Sequence, residues 1–185
     1  MDYYNADFEL GWLWASFHNE QVRLLPLIDK TKSNESNRTY LRSFISMIEG
    51  ITYRTRQILL KRQKDNKINL RLDQIIALSE ISIEIEDNGN LKERPKTHSL
   101  KSMILFTYKT YCELYDKLHI YNKFLSDNRF NDLQESIKMR NRITHPKSGP
   151  DVYINGEDIQ TVMSAGEWYH DFTFEIFMGD LIIKE

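Results

Sequence analysis

Apolar residues recur at three- and four-residue spacing over most of this chain, the pattern of helices that bury one face. Leu10, Leu13, Trp14, Phe17, Leu24 and Leu25 place a first helix over about Glu9 to Lys30, with Pro26 ending or kinking it. A polar linker follows over 31–37, and Ser36 or Asn37 is the expected N-cap of the next helix. That second helix, about Arg38 to Lys64, carries Leu41, Ile45, Ile48, Thr52 and Leu59 on one face. Beside them runs a polar line of Arg42, Ser46, Glu49, Tyr53 and Arg56, of which Arg42 and Arg56 are expected on an exposed face. A short third helix is expected over about Asn69 to Glu80.

At Ile81 the period changes. Ile81, Ile83 and Ile85 alternate with Ser82, Glu84 and Glu86, as on a strand. Asn88-Gly89 is a two-residue hairpin signal, and Leu91 to Arg94 make the return strand. Helical spacing then resumes. Ser99 is placed to cap a helix reaching about Leu118, and Asp127 or Asn128 to cap another that Pro146 stops. Pro146 to Asn155 read as a loop. A last helix over about Gly156 to Met178 carries an aromatic stripe that includes Trp168, Phe172 and Phe177, with Gly179 as its C-terminal stop. Such a stripe is expected to be core or dimer interface. The fold class is therefore all-α: one domain over 1–185, a bundle of about five helices with a small inserted hairpin at about 81–94.

The 185 residues suffice for one sizeable core, and 41% hydrophobic content is ordinary for a globular chain. No apolar run is long enough to span a membrane. Met1 to Leu10 lacks the basic and apolar parts of a secretory signal. Cys112 is the single cysteine, expected in the core between Tyr111 and Leu114, so a reducing cytoplasm is the expected location. Net charge is −2, which argues against a general nucleic-acid coat protein. Its distribution is uneven. Nine Lys or Arg fall within 38–71 against Glu49 and Asp65, while 151–185 holds eight acids against Lys184. The basic segment either contributes to one positive surface or is a set of solvated helix faces.

Candidate chemistry concentrates in Arg140-Asn141-Arg142-Ile143-Thr144-His145-Pro146. At about 100° per residue, Phe130, Leu133, Ile137, Arg140 and Thr144 share an arc of roughly 80°. Arg140 thus falls on the apolar stripe, where a guanidinium needs a partner. Glu49 on the second helix is the expected partner, through a bidentate pair. Asn141 and His145 are one helical turn apart, and His145 sits at the helix end. An imidazole can take up a proton near neutral pH, and a forked guanidinium can stabilise a phosphoryl oxygen. Taken alone, an Arg on an apolar stripe is often a structural ion-pair partner, and a His before a Pro is often a helix stop.

The Arg-Asn-x-x-x-His motif at the end of a late helix resembles the signature of the HEPN superfamily, in which an Arg is followed after four to six residues by His; four intervene here. The earlier segment Arg42-Ser43-Phe44-Ile45-Ser46-Met47-Ile48-Glu49-Gly50 is similar to the second-helix pattern of that superfamily, with an acidic residue on the inner face. The resemblance covers about 36–180. It implies a small helical bundle, a homodimer packed through the motif helix, and a metal-independent endoribonuclease with no cofactor. His145 would take the 2′-hydroxyl proton, Arg140 would stabilise the phosphoryl oxygens, and Asn141 would bind the phosphate or orient His145. Glu49 would orient Arg140, while Lys138, Arg142 and Lys147 would steer the RNA backbone. A toxin or phage-defence role, with an antitoxin partner, is implied by the same resemblance. One departure stands out: HEPN toxins controlled by a nucleotidyltransferase antitoxin carry a Tyr two residues after the His, where this chain has Lys147. The other readings are a nucleotide- or RNA-binding module without catalysis, and a protein-interaction partner in which Arg140 is structural. The five histidines lack metal-ligand spacing, and no phosphate-binding Gly-rich loop or Gly-x-Ser-x-Gly elbow is present. Glu84 and Glu86 lie on a strand expected to be exposed, where a metal site would be accidental.

Overall fold

The computed structural model describes residues 3–31 and 33–182, with side-chain environments for 10–28 and 33–177. Met1, Asp2, Lys32 and 183–185, which include the Lys184 of the acidic tail, lie outside the described residues. Seven α-helices and one hairpin follow in the order α1 (Tyr3–Thr31), α2 (Asn34–Lys64), α3 (Leu72–Leu78), β1 (Ile81–Ile85), β2 (Leu91–Pro95), α4 (Leu100–Leu114), α5 (Leu118–Leu125), α6 (Arg129–Thr144) and α7 (Gly156–Ile182). The architecture is all-α with an inserted hairpin, as the periodicity predicts. No described helix is long and apolar enough to cross a membrane.

α2 is the central helix. It packs on α1, α3, α4, α6 and α7, and α6 in turn packs extensively on α7. Leu41, Phe44, Ile45, Ile48, Ile51 and Leu59 of α2 are almost completely buried. The aromatic stripe of α7 is core: Trp168, Tyr169 and Phe172 are at most 1% exposed. Trp168 stacks on Phe172 and meets Phe124 edge-on, and its indole N–H donates to the Phe124 carbonyl. Burying side chains of this size contributes about 1.5–3 kcal/mol each. The Tyr108 and Tyr169 hydroxyls bond to one another at 2.6 Å inside this core, which satisfies both. Cys112 is buried there too, as expected, and burial pushes its thiol up to about 12.

Several boundaries differ from the sequence reading, each for a local reason. α2 begins earlier, because Ser33 rather than Ser36 or Asn37 caps it by accepting from the Ser36 N–H. α1 runs through Pro26 to Thr31. α3 is shorter than expected. The helix expected to reach Leu118 stops at Leu114, and α5 is a separate helix. Asp116, at φ 56°, takes the left-handed conformation that ends α4. α7 continues past Gly179 to Ile182.

The hairpin pairs Ile81 with Pro95, Ile83 with Glu93 and Ile85 with Leu91. Its turn is not the two-residue type. Glu86 donates to the Asn90 carbonyl, the Gly89 N–H donates to the Glu86 carbonyl, and Gly89 has φ 83°. These bonds define a three-residue loop, Asp87 to Gly89, in which glycine supplies the left-handed residue. Glu84 and Glu86 pair with Arg94 and Lys92 across the strands.

Glu80, just beyond α3, also lies in the left-handed region, at φ 53°, where glycine or asparagine is usual. Its carboxylate explains the choice: it pairs with the Arg56 guanidinium at 2.9 Å. The sequence reading put Arg56 on an exposed face. The structure buries it at 6% exposure, and only Arg42 of that pair is exposed. Arg62 lies over the Tyr115 ring and donates to its hydroxyl. At least two of the nine basic residues in 38–71 are therefore engaged with the protein itself.

Candidate functional site around Arg140 and His145

α6 starts where the Asp127 carboxylate accepts the Arg129 N–H, so Asp127 rather than Asn128 provides the side-chain cap. The Arg129 guanidinium, gripping the same carboxylate, holds Asp127 below the usual carboxylate range. Along α6, Leu133, Ser136 and Ile143 are buried, while Phe130, Ile137 and Arg140 are half-buried. Thr144 was expected on this stripe and is exposed, its hydroxyl turned back to the Arg140 carbonyl at 2.7 Å.

The expected pairing across two helices is present. Arg140 Nη2 donates to Glu49 Oε1 at 2.9 Å, joining the motif helix to the middle of α2. The contact is through one nitrogen, not the bidentate fork expected. Arg140 and Glu49 side chains are 33% and 40% exposed, so the pair lies at the edge of the core within reach of solvent. Arg140 Nη1 also donates to Asn141 Oδ1 at 3.3 Å. One guanidinium is thus oriented by two side chains, and it retains further N–H donors for a ligand. Asn141 keeps its NH₂ group as a donor.

The helix ends at Thr144. The His145 N–H closes the last turn on the Asn141 carbonyl at 3.0 Å, and His145 leaves helical geometry at φ −127°, ψ 62°, as a residue before proline should. Its side chain is exposed and makes no hydrogen bond to any described residue. Arg140, Asn141 and His145 therefore share one helix end, with an anchored cation and an available imidazole.

The expected backbone-steering residues divide. Lys138 is exposed and paired with Glu135 one turn earlier. The Lys147 side chain is exposed. Arg142 is committed elsewhere: it donates to the Tyr153 carbonyl at 3.0 Å and contacts Asp158 at 3.4 Å, tying α6 to the start of α7.

The loop after His145 is built, which the sequence reading did not foresee. Asp151 accepts the backbone N–H groups of Lys147 and Ser148, and the Lys147 N–H contributes most to holding its carboxyl below the usual range. Asn155 and Asp158 cap the start of α7 reciprocally, a capping box read as Asn-x-x-Asp. Asn34 and Asn37 of α2 bind the backbone at Val152 and Ile154. The Asn155-Gly-Glu-Asp158 spacing was the available signal for this anchor; the Asn34 and Asn37 clamp has no sequence signal. Among the described residues no three His, Cys, Asp or Glu side chains are grouped as metal ligands. No family model matches the chain, and no curated protein or solved structure is found similar to it.

Proposed function

We propose that this chain is a metal-independent endoribonuclease of HEPN type, with Arg140, Asn141 and His145 as its reacting group. The observation that carries the reading is the Arg140–Glu49 contact at 2.9 Å. It is the cross-helix pair expected from the sequence, and it joins two segments 91 residues apart in the chain. The exposed imidazole of His145 at the same helix end supports it.

In this mechanism His145 takes the proton of an RNA 2′-hydroxyl. The 2′-oxygen attacks the adjacent phosphorus and the P–O5′ bond breaks. The 5′-oxygen leaves as a hydroxyl on taking a proton from water, the His145 imidazolium gives its proton back to solvent, and a 2′,3′-cyclic phosphate remains. Arg140 stabilises charge on the phosphoryl oxygens. Asn141 donates its NH₂ to the phosphate, and Glu49 positions the guanidinium. Lys138 and Lys147 steer the RNA backbone, and Arg142 acts through the loop it holds. A homodimer through α6 would bring two such groups around one cleft, and an antitoxin or phage-defence setting follows from the same resemblance.

The test is mixed RNA incubated with purified protein in EDTA, beside His145→Ala. Cleavage by wild type alone, with cyclic-phosphate ends, supports the proposal. Cleavage that survives in His145→Ala refutes it. RNA affinity without cleavage in the wild type selects the binding-module reading. A specific observation also favours a structural role for Arg140: two of its nitrogens are already engaged by Glu49 and Asn141. The stability measurement developed in the Discussion separates these readings.

A further inference from the structure

The β1–β2 hairpin forms a sheet of its own, and no backbone group among the described residues bonds to either of its outer edges. A two-stranded hairpin is marginal by itself; three or more strands over an apolar face make a sheet stable. The two edges are not equivalent.

Two bonds establish which backbone groups the hairpin uses internally. The Glu86 N–H donates to the Asn90 carbonyl and the Lys96 N–H to the Glu80 carbonyl, both at 2.8 Å. Bonded pairs alternate along an antiparallel ladder, so Ser82 with Arg94 and Glu84 with Lys92 are the bonded pairs between them. Ile81, Ile83 and Ile85 on β1, and Leu91, Glu93 and Pro95 on β2, therefore turn their backbone polar groups outward.

The β2 edge is blunted. Pro95 has no N–H to offer, and Glu93 sits at the centre of the strand. Two copies joined there about Glu93 would set Glu93 against Glu93 and Lys92 against Arg94, like charges in both cases. The β1 edge carries no such protection. Its three outward-turned residues are all isoleucines with an N–H to donate. Ile83 is 45% exposed and Ile85 77%, and Leu91, opposite Ile85 on the same face, is 72% exposed.

That edge is complementary to itself. Antiparallel about a two-fold axis at Ile83, two copies of β1 oppose Ile83 to Ile83 and Ile81 to Ile85, each a pair that exchanges both N–H···O bonds. On the other face Ser82 meets Glu84, so no carboxylate of the strand faces another. Moving the axis to Glu84 would oppose two carboxylates, and moving it to Ser82 would leave Ile85 without an isoleucine opposite. Just beyond the strand ends Glu80 opposes Glu86, and each already has a cation in its own chain, Arg56 and Lys92.

We propose that β1 pairs with β1 of a second copy of this chain, with Ile83 on the two-fold axis, making one four-stranded sheet whose isoleucines lie on one face. This surface is on a different element from α6, and the pairing does not depend on the ribonuclease reading. The contact is small, so the association is weak, with Kd on the order of 1–100 μM.

The first test mixes two full-length variants, Ser82→Cys and Glu84→Cys, under mild oxidation. The proposed register sets these positions directly opposite, about 4.5 Å apart between Cα atoms, within disulfide reach. Each lies about 7–8 Å from the same position in the other copy, beyond that reach. The native Cys112 is buried, its thiol pushed up to about 12, and does not compete. A covalent dimer at least about ten-fold more abundant in the mixture than in either variant alone is expected. No covalent dimer, or equal amounts in all three samples, overturns the proposal. The second test is sedimentation equilibrium of wild type and Ile83→Pro, which removes an N–H that the hairpin does not use itself. The substitution should weaken self-association by at least about ten-fold. Identical behaviour of the two proteins up to about 300 μM overturns the proposal and leaves the edge to an extended segment of a different protein. Open-ended growth with concentration means pairing of β1 with β2 of the next copy, and overturns it as well.

Discussion

Arg140→Ala separates a guanidinium kept for chemistry from one kept for folding, because the two roles predict different stabilities. The contact to Glu49 is 2.9 Å long, but the side chains are 33% and 40% exposed. Water therefore screens both, and exposed pairs of this kind contribute about 0.2–1 kcal/mol. Removing Arg140 should lower stability by about 1 kcal/mol, which for a domain of this size is a Tm shift of roughly 2–4 °C. Glu49→Ala should cost a similar amount, and a double-mutant cycle should return a coupling of about 0.5 kcal/mol. A buried structural Arg behaves otherwise. Breaking such a pair costs about 3–5 kcal/mol, a shift near 10 °C. On the proposed mechanism, Arg140→Ala should reduce RNA cleavage by about 10²–10³, the cost of losing one preorganised donor to the transition state. Glu49→Ala should reduce it by less, since it only positions Arg140. The assays are thermal unfolding by circular dichroism and cleavage of labelled RNA on the same preparations. A Tm drop near 10 °C, or cleavage retained by Arg140→Ala, refutes the reasoning.

Glu80→Ala should destabilise by about 2 kcal/mol, less than for a fully buried pair because Glu80 is 35% exposed, and Glu80→Gly should be milder because it relieves the backbone at φ 53°; denaturant unfolding gives the order. Gly166→Ala should stabilise by about 0.5–1 kcal/mol, since the added methyl meets Phe44 and Tyr40 at an ordinary 3.8 Å. Gly50→Ala should gain less or lose, because its methyl would lie 3.2 Å from Phe17; thermal unfolding of the two variants compares them. His18 has its pKa lowered from 6.5, by burial first and His170 second, with His170 itself beside Asp171. The unfolded chain then binds the proton more readily, so this contribution is complete above 6.5 and lost as pH falls through the folded value. The Tm of wild type should fall more than that of His18→Asn between about pH 7.5 and 5.

The helical class, the hairpin at Ile81–Ile85 and Leu91–Pro95, and the stop at Thr144 were legible because each rests on local rules. Side-chain periodicity, β alternation and the proline at 146 act within a few residues of themselves. The Glu49–Arg140 contact was legible for a related reason: a guanidinium on an apolar stripe demands a carboxylate, and one helix offered it on a neighbouring face. What the sequence could not decide was which polar residues turn inward. Arg56 and Arg42 share one polar line on α2, yet Arg56 is buried against Glu80 while Arg42 is exposed. That difference depends on α3 and α4 packing beside the second half of α2. Arg142, next to the motif, looked like an RNA contact and instead holds the loop at Tyr153 and Asp158. Local sequence fixes the conformation of each segment; the fate of a charge depends on which distant segment arrives beside it, and only the tertiary fold decides that.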